Sequence, residues 1–388
     1  MSPRELRLPT TDGSVETFTV PEPVVHHRPP APITVRTVYA AAHVAADPLG
    51  ANAPGAPAAV DWDATLAFRR HLWSWGLGVA DAMDTAQRGM GLDWATTAEL
   101  IRRSAREAKA VGGALVAGVG TDHRAEPPRD LDDVVAAYLE QLEVVEDAGA
   151  QPVLMASRHL CALARGPEDY QQVYAKLLGQ AAGPVHLHWL GPMFDPALSG
   201  YWGSADPDQA AASLLTVIRA DPQKVAGVKV SMLDADLEIR LRKAVPAGSP
   251  VFTGDDFNYP NLVLGDRNGH SEALLGIFDP IAPIASAALQ RLQAGDQAGY
   301  RDLLGPTVPL ARHLFSAPTF HYKTGIVLLA WLAGHQPGFT MVAGAQSGRS
   351  TPHLAETFRG AAALGLFPDP DLATSRMRNL LDVAGVPQ

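Results

Sequence analysis

Eight short apolar runs recur along the middle of the chain: ITVRTVYA (33–40), GLGVADAM (76–83), GALVAGVG (113–120), QPVLMAS (151–157), PVHLHWL (184–190), VAGVKVS (225–231), SPVFTGD (249–255) and SEALLGIF (271–278). Between most of them lie amphipathic stretches such as TAELIRRSAREAKAVG and LDDVVAAYLEQLEVVEDAG, whose apolar residues return every three or four positions, the helical spacing. Strands that are apolar throughout, rather than alternating, belong to parallel sheets covered by helices on both faces. Eight such units in roughly 250 residues suit a closed barrel better than an open sheet. The pattern therefore predicts a (β/α)8 barrel over residues 33–286, with a doubly wound sheet as the alternative. Residues 287–388 read as a helical extension, with SAALQRLQAGDQAGYRDLL and TPHLAETFRGAAALG its clearest pieces. Residues 1–32, rich in proline and charge, predict an extended N-terminal arm, and ADPLGANAPGAPAA (46–59) predicts a loop.

Composition narrows the function more than the fold. The chain has 388 residues, 47% hydrophobic, a net charge of −10 and a mean hydropathy near zero. An acidic chain without a basic run carries no electrostatic footprint for nucleic acid or an anionic membrane. The N-terminal MSPRELRLPTTDGS lacks an apolar signal core, and the longest apolar stretch, GIVLLAWLAG, is too short to span a bilayer, so a cytoplasmic protein is expected. A single cysteine, Cys161, excludes an internal disulfide and a multi-thiolate zinc site. The partner expected is a small molecule, and the assembly a homo-oligomer.

The candidate chemistry centres on Lys229. Five of the six lysines lie among polar or helical residues, where the ammonium can reach water, whereas Lys229 is flanked by Val228 and Val230 in the sixth apolar run. Burial disfavours a charged amine, and a neutral lysine is a nucleophile, so Schiff-base chemistry is one reading; a strand-end lysine paired with an acid is the other. Barrel chemistry belongs at the C-terminal ends of the strands. Three other strand ends carry polar groups: Asp84 and Thr85 after the second run, His186 and His188 on one face of the fifth, and Gly254, Asp255 and Asp256 after the seventh. Each also has a plain structural reading, as loop caps, a core histidine, or a helix cap. His186-x-His188 has metal-ligand spacing, and Asp84, Asp255 or Asp256 could complete a site, which leaves a metal-dependent hydrolase or aldolase as an alternative. A third reading is a non-catalytic barrel that binds a sugar or keto acid. GVGTDH lacks the spacing of a dinucleotide fingerprint, and the Schiff-base reading calls for neither cofactor nor metal.

The segment GVKVSMLDADLEIRLRKAVPAGSPVFTGDDFNYPNLVLGDRNGHSEALLGIFDPIAP resembles the sixth-to-eighth-strand region of the dihydrodipicolinate synthase/N-acetylneuraminate lyase family, in which a G-[IV]-K-x-S strand carries the Schiff-base lysine and a G-D-D turn follows. ALVAGVGTDH and VVEDAGAQPVLM are similar to the family's third strand and fourth-strand entry, and LARHLFSAPTFHYKTGIVLLAWLAG with GAQSGRS to its C-terminal helices, so the likeness runs from about residue 33 to 385. The resemblance implies a class I lyase, an aldolase or hydro-lyase acting on a 2-keto acid or a sugar-derived carbonyl compound, with Lys229 as the nucleophile. It places Thr85 and Ala86 on the pair that binds the substrate carboxylate, and Asp84 where the family has a glycine. The family's strand-five tyrosine, a proton relay, falls at or beside His188. His188 is the expected replacement, with Tyr201, from the inserted MFDPALSGYWGSAD, as a second candidate reaching back over the mouth. Substrate contacts are expected from Asp84, Thr85, Ala86, His186, Gly254, Asp255 and Asp256. These departures suggest a divergent branch of the family.

Overall fold

Residues 4–83 and 87–388 are described by the structure, a computed structural model. Its first element departs from the extended arm: β1 (Glu5–Pro9) and β2 (Val15–Thr19) form an antiparallel hairpin. Leu6 and Leu8 on one face of β1 are fully buried. The hairpin lies against the C-terminal helices Thr351–Ala363 and Pro370–Val383, where Arg359 donates to the carbonyls of Leu8 and Pro9 and Arg378 to that of Glu5.

The eight apolar runs become eight parallel strands: β3 (Val38–Ala41), β4 (Gly78–Asp81), β5 (Leu115–Val119), β6 (Gln151–Leu154), β7 (Val185–Leu190), β8 (Val225–Ser231), β9 (Val251–Thr253) and β10 (Glu272–Leu275). β10 pairs with both β9 and β3, so the sheet closes into a barrel and the doubly wound alternative falls. Every residue of β4, β5, β7 and β9 is buried, which is why these strands read as unbroken apolar runs. Aspartates start the intervening helices: Asp93 accepts from the Thr96 amide, Asp130 from Asp133 and Asp234 from Leu237. Gly112 and Gly149, at φ 68° and 77°, stop two of them in the left-handed region that favours glycine.

Inside the barrel, Tyr39, Ala41, Ala80, Val116, Val153, Phe252 and Leu274 fill the lower layers. Large and small residues alternate between neighbouring strands: a Cβ on Gly227 would lie 2.5 Å from the Phe252 ring. After β10 the chain is helical, and helices Val308–Leu314 and Tyr322–Leu332 carry Phe315 and Tyr322 to the barrel mouth. Among the described residues no helix is long and apolar enough to cross a membrane.

Candidate active site at the barrel mouth

A cavity of about 20 Å³, room for roughly one ordered water, opens at the C-terminal ends of the strands. Its polar wall is made by His188 of β7, Lys229 and Ser231 of β8, Asp256 just beyond β9, and Tyr322. The β7–β8 register sets His188 opposite Lys229. Because side chains alternate along a strand, Ser231 follows Lys229 on the interior face, and its hydroxyl lies 3.1 Å from His188 Nε2 as a hydrogen bond. His188 is fully buried and Lys229 is 9% exposed.

Two glycines make room for these groups. A Cβ on Gly254 would lie 2.1 Å from Ser231 Oγ and 3.0 Å from Lys229 Cε, and one on Gly276 would lie 2.7 Å from the Phe315 ring. Phe315 stacks on Tyr322 with ring centroids 4.2 Å apart, and with Phe194 and Leu190 it supplies the apolar side of the cavity. The Asp256 carboxylate accepts the Ile277 amide at 2.8 Å. Burial raises its pKa well above the ordinary carboxylate range, an effect that the Ile277 hydrogen bond and the charge of Lys229 offset only in part.

The residues expected from the sequence divide. Lys229, His188, Gly254 and Asp256 meet at the cavity, Gly254 as space rather than as a binding group. His186 does not reach it: its ring packs edge-on to Phe252 and Tyr39 at 5.0 and 6.5 Å, and burial lowers its pKa to about 4, so it is a neutral core histidine. Asp255 acts as a cap, with Oδ1 accepting from the Phe257 and Asn258 amides and Oδ2 from the Asn258 side chain, and it is not in the cavity lining. Tyr201 is also corrected. Its hydroxyl accepts from the Ser157 amide at 3.1 Å and lies 3.0 Å from that of Tyr174, its ring packs on Tyr170 and Trp202, and burial raises its pKa to about 12. It pins the inserted segment to the neighbouring helices. Asp84, Thr85 and Ala86 lie outside the described residues. Among the described residues no group of three or more metal-ligating side chains forms, and Asp84, one of the groups expected to complete a set with His186 and His188, lies outside them.

Sequence reasoning missed Ser231, Tyr322 and Phe315. Ser231 was available from strand alternation two positions after Lys229, whereas the aromatic pair comes from helices about ninety residues later, and no local pattern connects them. Lys323 is a further correction. Counted among the solvated lysines, it is 2% exposed, donates to the Ala41 carbonyl and lies 3.4 Å from Asp279.

A closed eight-stranded parallel barrel with a lysine, a histidine and a carboxyl group converging at its C-terminal mouth defines a (β/α)8-barrel protein with a built polar cavity. The chain belongs to the family described as protein of unknown function (DUF993), whose profile matches residues 6–386. No curated protein matches the sequence. Among solved structures it is similar to dihydrodipicolinate synthase from Bacillus clausii (TM-score 0.63, 13% identity, 84% of this chain and 97% of that one). It is also similar to the synthases from Bacteroides thetaiotaomicron (0.61, 14%, 81% and 93%) and Aquifex aeolicus (0.60, 11%, 91% and 99%). At these identities the likeness is one of fold.

Proposed function

We propose that the protein is a Schiff-base-forming lyase, an aldolase or hydro-lyase acting on a 2-keto acid or a sugar-derived carbonyl compound. The observation that carries this reading is the place of Lys229: late on the sixth barrel strand, in the cavity wall, with His188 in register beside it and Asp256 nearby. The solved structures of this fold named above are dihydrodipicolinate synthases, which supports the same class of chemistry.

In this mechanism the unprotonated Lys229 amine adds to the substrate carbonyl carbon, and the carbonyl oxygen takes up two protons, one released by the attacking nitrogen and one from an acid such as Asp256 or water. Loss of that oxygen as water leaves a protonated imine, which accepts the electron pair released when an adjacent C–H or C–C bond breaks. His188 is placed to take and return the proton, and the Ser231 hydroxyl fixes the direction of its ring. Asp256, held protonated to a higher pH than a free carboxyl, can donate to an oxygen that gains charge. A cavity of about 20 Å³ is smaller than any keto acid, so binding requires the lining side chains to give way. Thr85 and Ala86 remain the proposed carboxylate contacts, with Asp84 beside them. The cytoplasmic location and homo-oligomeric assembly belong to the same proposal.

The test is reductive trapping. Incubation with pyruvate, then other 2-keto acids and keto-sugars, followed by borohydride, is expected to add a covalent mass to the peptide containing VAGVKVSML and none to the Lys229→Met variant. Labelling at Lys323 instead, or no labelling with a compound that is demonstrably turned over, overturns the proposal.

A further inference from the structure

Three rings meet across the mouth cavity, and their anchor points decide what a substrate finds there. Phe194 follows β7, whereas Phe315 and Tyr322 lie beside Gly276 at the end of β10, where an added Cβ would be 2.7 Å from the Phe315 ring and 2.9 Å from that of Tyr322. Phe194 and Phe315 touch edge to face with centroids 6.5 Å apart, and Phe315 stacks on Tyr322 at 4.2 Å. In the order of the barrel, β8 and β9 stand between β7 and β10. The row of rings therefore spans the ends of the two strands that lead to Lys229 and Asp256, and all three rings line the cavity with those side chains.

Leu190 continues this apolar surface on the β7 side. His188 is level with Lys229 in the register, and Leu190 lies two residues further along the strand, on the same interior face and about 7 Å nearer the mouth. The segment that carries Phe315 presents its ring and few other groups. Arg349 donates to the carbonyls of Leu314, Ser316, Ala317 and Pro318 at 3.2, 2.7, 3.3 and 3.1 Å, and the Ser316 hydroxyl donates to the His313 carbonyl. The backbone acceptors on either side of the ring are thus already engaged.

Among the described residues that line the cavity, Lys229 is the one lysine or arginine, and the imine takes it up; Asp256 is the one acid. A second carboxylate or a phosphate on the substrate would meet rings and an acid with no guanidinium to pair it, and an unpaired charge out of water is costly. Leu190, Phe194 and Phe315 also have no side-chain donor or acceptor for the hydroxyls of a sugar chain. An apolar chain, by contrast, gains by leaving water against them. We propose, resting on the Schiff-base reading, that the substrate is a 2-keto acid whose chain beyond the carbonyl is apolar, an alkyl or aryl group seated against Leu190, Phe194 and Phe315. Thr85 and Ala86, the proposed carboxylate contacts, follow β4, which stands opposite β8 in the barrel, so the carboxylate and the chain leave the reacting carbon toward different sides of the mouth.

The test compares 2-oxohexanoate and 4-phenyl-2-oxobutanoate with 2-oxoglutarate and 2-keto-3-deoxygluconate, with pyruvate as the reference that has no chain. Each is titrated against the full chain, borohydride is added, and the adduct is read by intact mass to give a half-saturating concentration. Each methylene taken out of water is expected to lower that concentration about fourfold, so 2-oxohexanoate should saturate at least about tenfold below 2-oxoglutarate. Phe194→Arg, which sets a cation among the rings, is expected to reverse that order, and Leu190→Gln to narrow the gap at least about threefold. Both variants are read as ratios within one preparation, so any loss of folded protein cancels. If pyruvate is trapped while 2-oxoglutarate or 2-keto-3-deoxygluconate saturates at or below 2-oxohexanoate, or while no larger keto acid is trapped, the apolar chain is refuted and the Schiff-base reading stands. An unchanged ratio in both variants refutes it in the same way. Failure to trap any compound, including one that is turned over, overturns the Schiff-base reading and this inference with it.

Discussion

Replacing Gly254 by alanine tests whether the wall around Lys229 is built as tightly as its geometry implies. The added Cβ would lie 2.1 Å from Ser231 Oγ, 2.9 Å from the Val230 carbonyl oxygen and 3.0 Å from Lys229 Cε. The serine can rotate away, but the carbonyl cannot, because it already accepts the Gly254 amide at 2.7 Å in the β8–β9 ladder. Relief therefore requires a shift of the strand together with loss of the Ser231–His188 hydrogen bond. Overpacking of this kind costs about 1–3 kcal/mol of stability. A reacting group displaced by about an ångström loses roughly 10²-fold in rate. The expected signature is a modest fall in melting temperature and a fall of about two orders of magnitude in the initial rate of borohydride-trapped adduct, read by intact mass. Gly179→Ala, in helix Pro167–Gln180 with nothing within 4 Å of the added methyl, is the control and should leave the trapping rate unchanged. If Gly254→Ala melts lower yet traps at the wild-type rate, Lys229 is not positioned by this wall and the argument fails.

Two other outcomes follow from the same structure. His188→Phe should reduce turnover by about 10² to 10⁴ while leaving Lys229 able to form a trapped adduct; equal loss of both, or loss of a bound metal in the variant, would reassign the residue. Glu238 is buried, accepts from the Ser271 hydroxyl at 2.7 Å, and has its pKa raised by burial from 4.5 to about 8. Between those values the unfolded chain releases a proton that the native state keeps, so stability falls as pH rises, by up to about 1.4 kcal/mol per pH unit. Glu238→Gln, which keeps an acceptor for Ser271, should flatten the decline in melting temperature between pH 5 and pH 8, and an identical slope in both proteins would refute the assignment.

The barrel was legible because burial on both faces leaves the same mark on every strand, and eight such marks with helical spacers admit few other folds. Lys229 was legible for the same reason, as the one lysine inside such a run. The hairpin was missed although its signal was present: ELRLP and VETFT flank TTDGS, a turn with Asp12 and Gly13, the latter at φ 86°. Proline and charge in the rest of that segment outweighed the alternation of Leu6 and Leu8. Side-chain destinations were the hardest to read. Asp255 and Asp256 are adjacent carboxylates with one sequence context, yet the first turns back onto its own backbone and the second enters the cavity. Tyr201 had the right chemistry and reach for the mouth, but aromatic neighbours within its own insertion and on the preceding helix gave it a buried place instead.

Lys323 shows why burial alone does not identify a reactive lysine. Both lysines lie inside the protein next to an aspartate, but the two aspartates behave in opposite ways. Against the upward pull of burial, the His43 ring and Lys323 hold Asp279 down to about 2, so it remains an anion beside Lys323, whose own pKa burial lowers against the pull of that charge. Burial wins at Asp256, whose pKa is raised despite the charge of Lys229. Lys323 further donates to the Ala41 carbonyl, and Lys229 lies in the cavity wall with His188 and Ser231. The first environment makes an ion pair that supports the strand after which His43 lies. The second places a lysine, a histidine and a hydroxyl on one cavity wall, and a trapping experiment with both lysines present will read the difference directly.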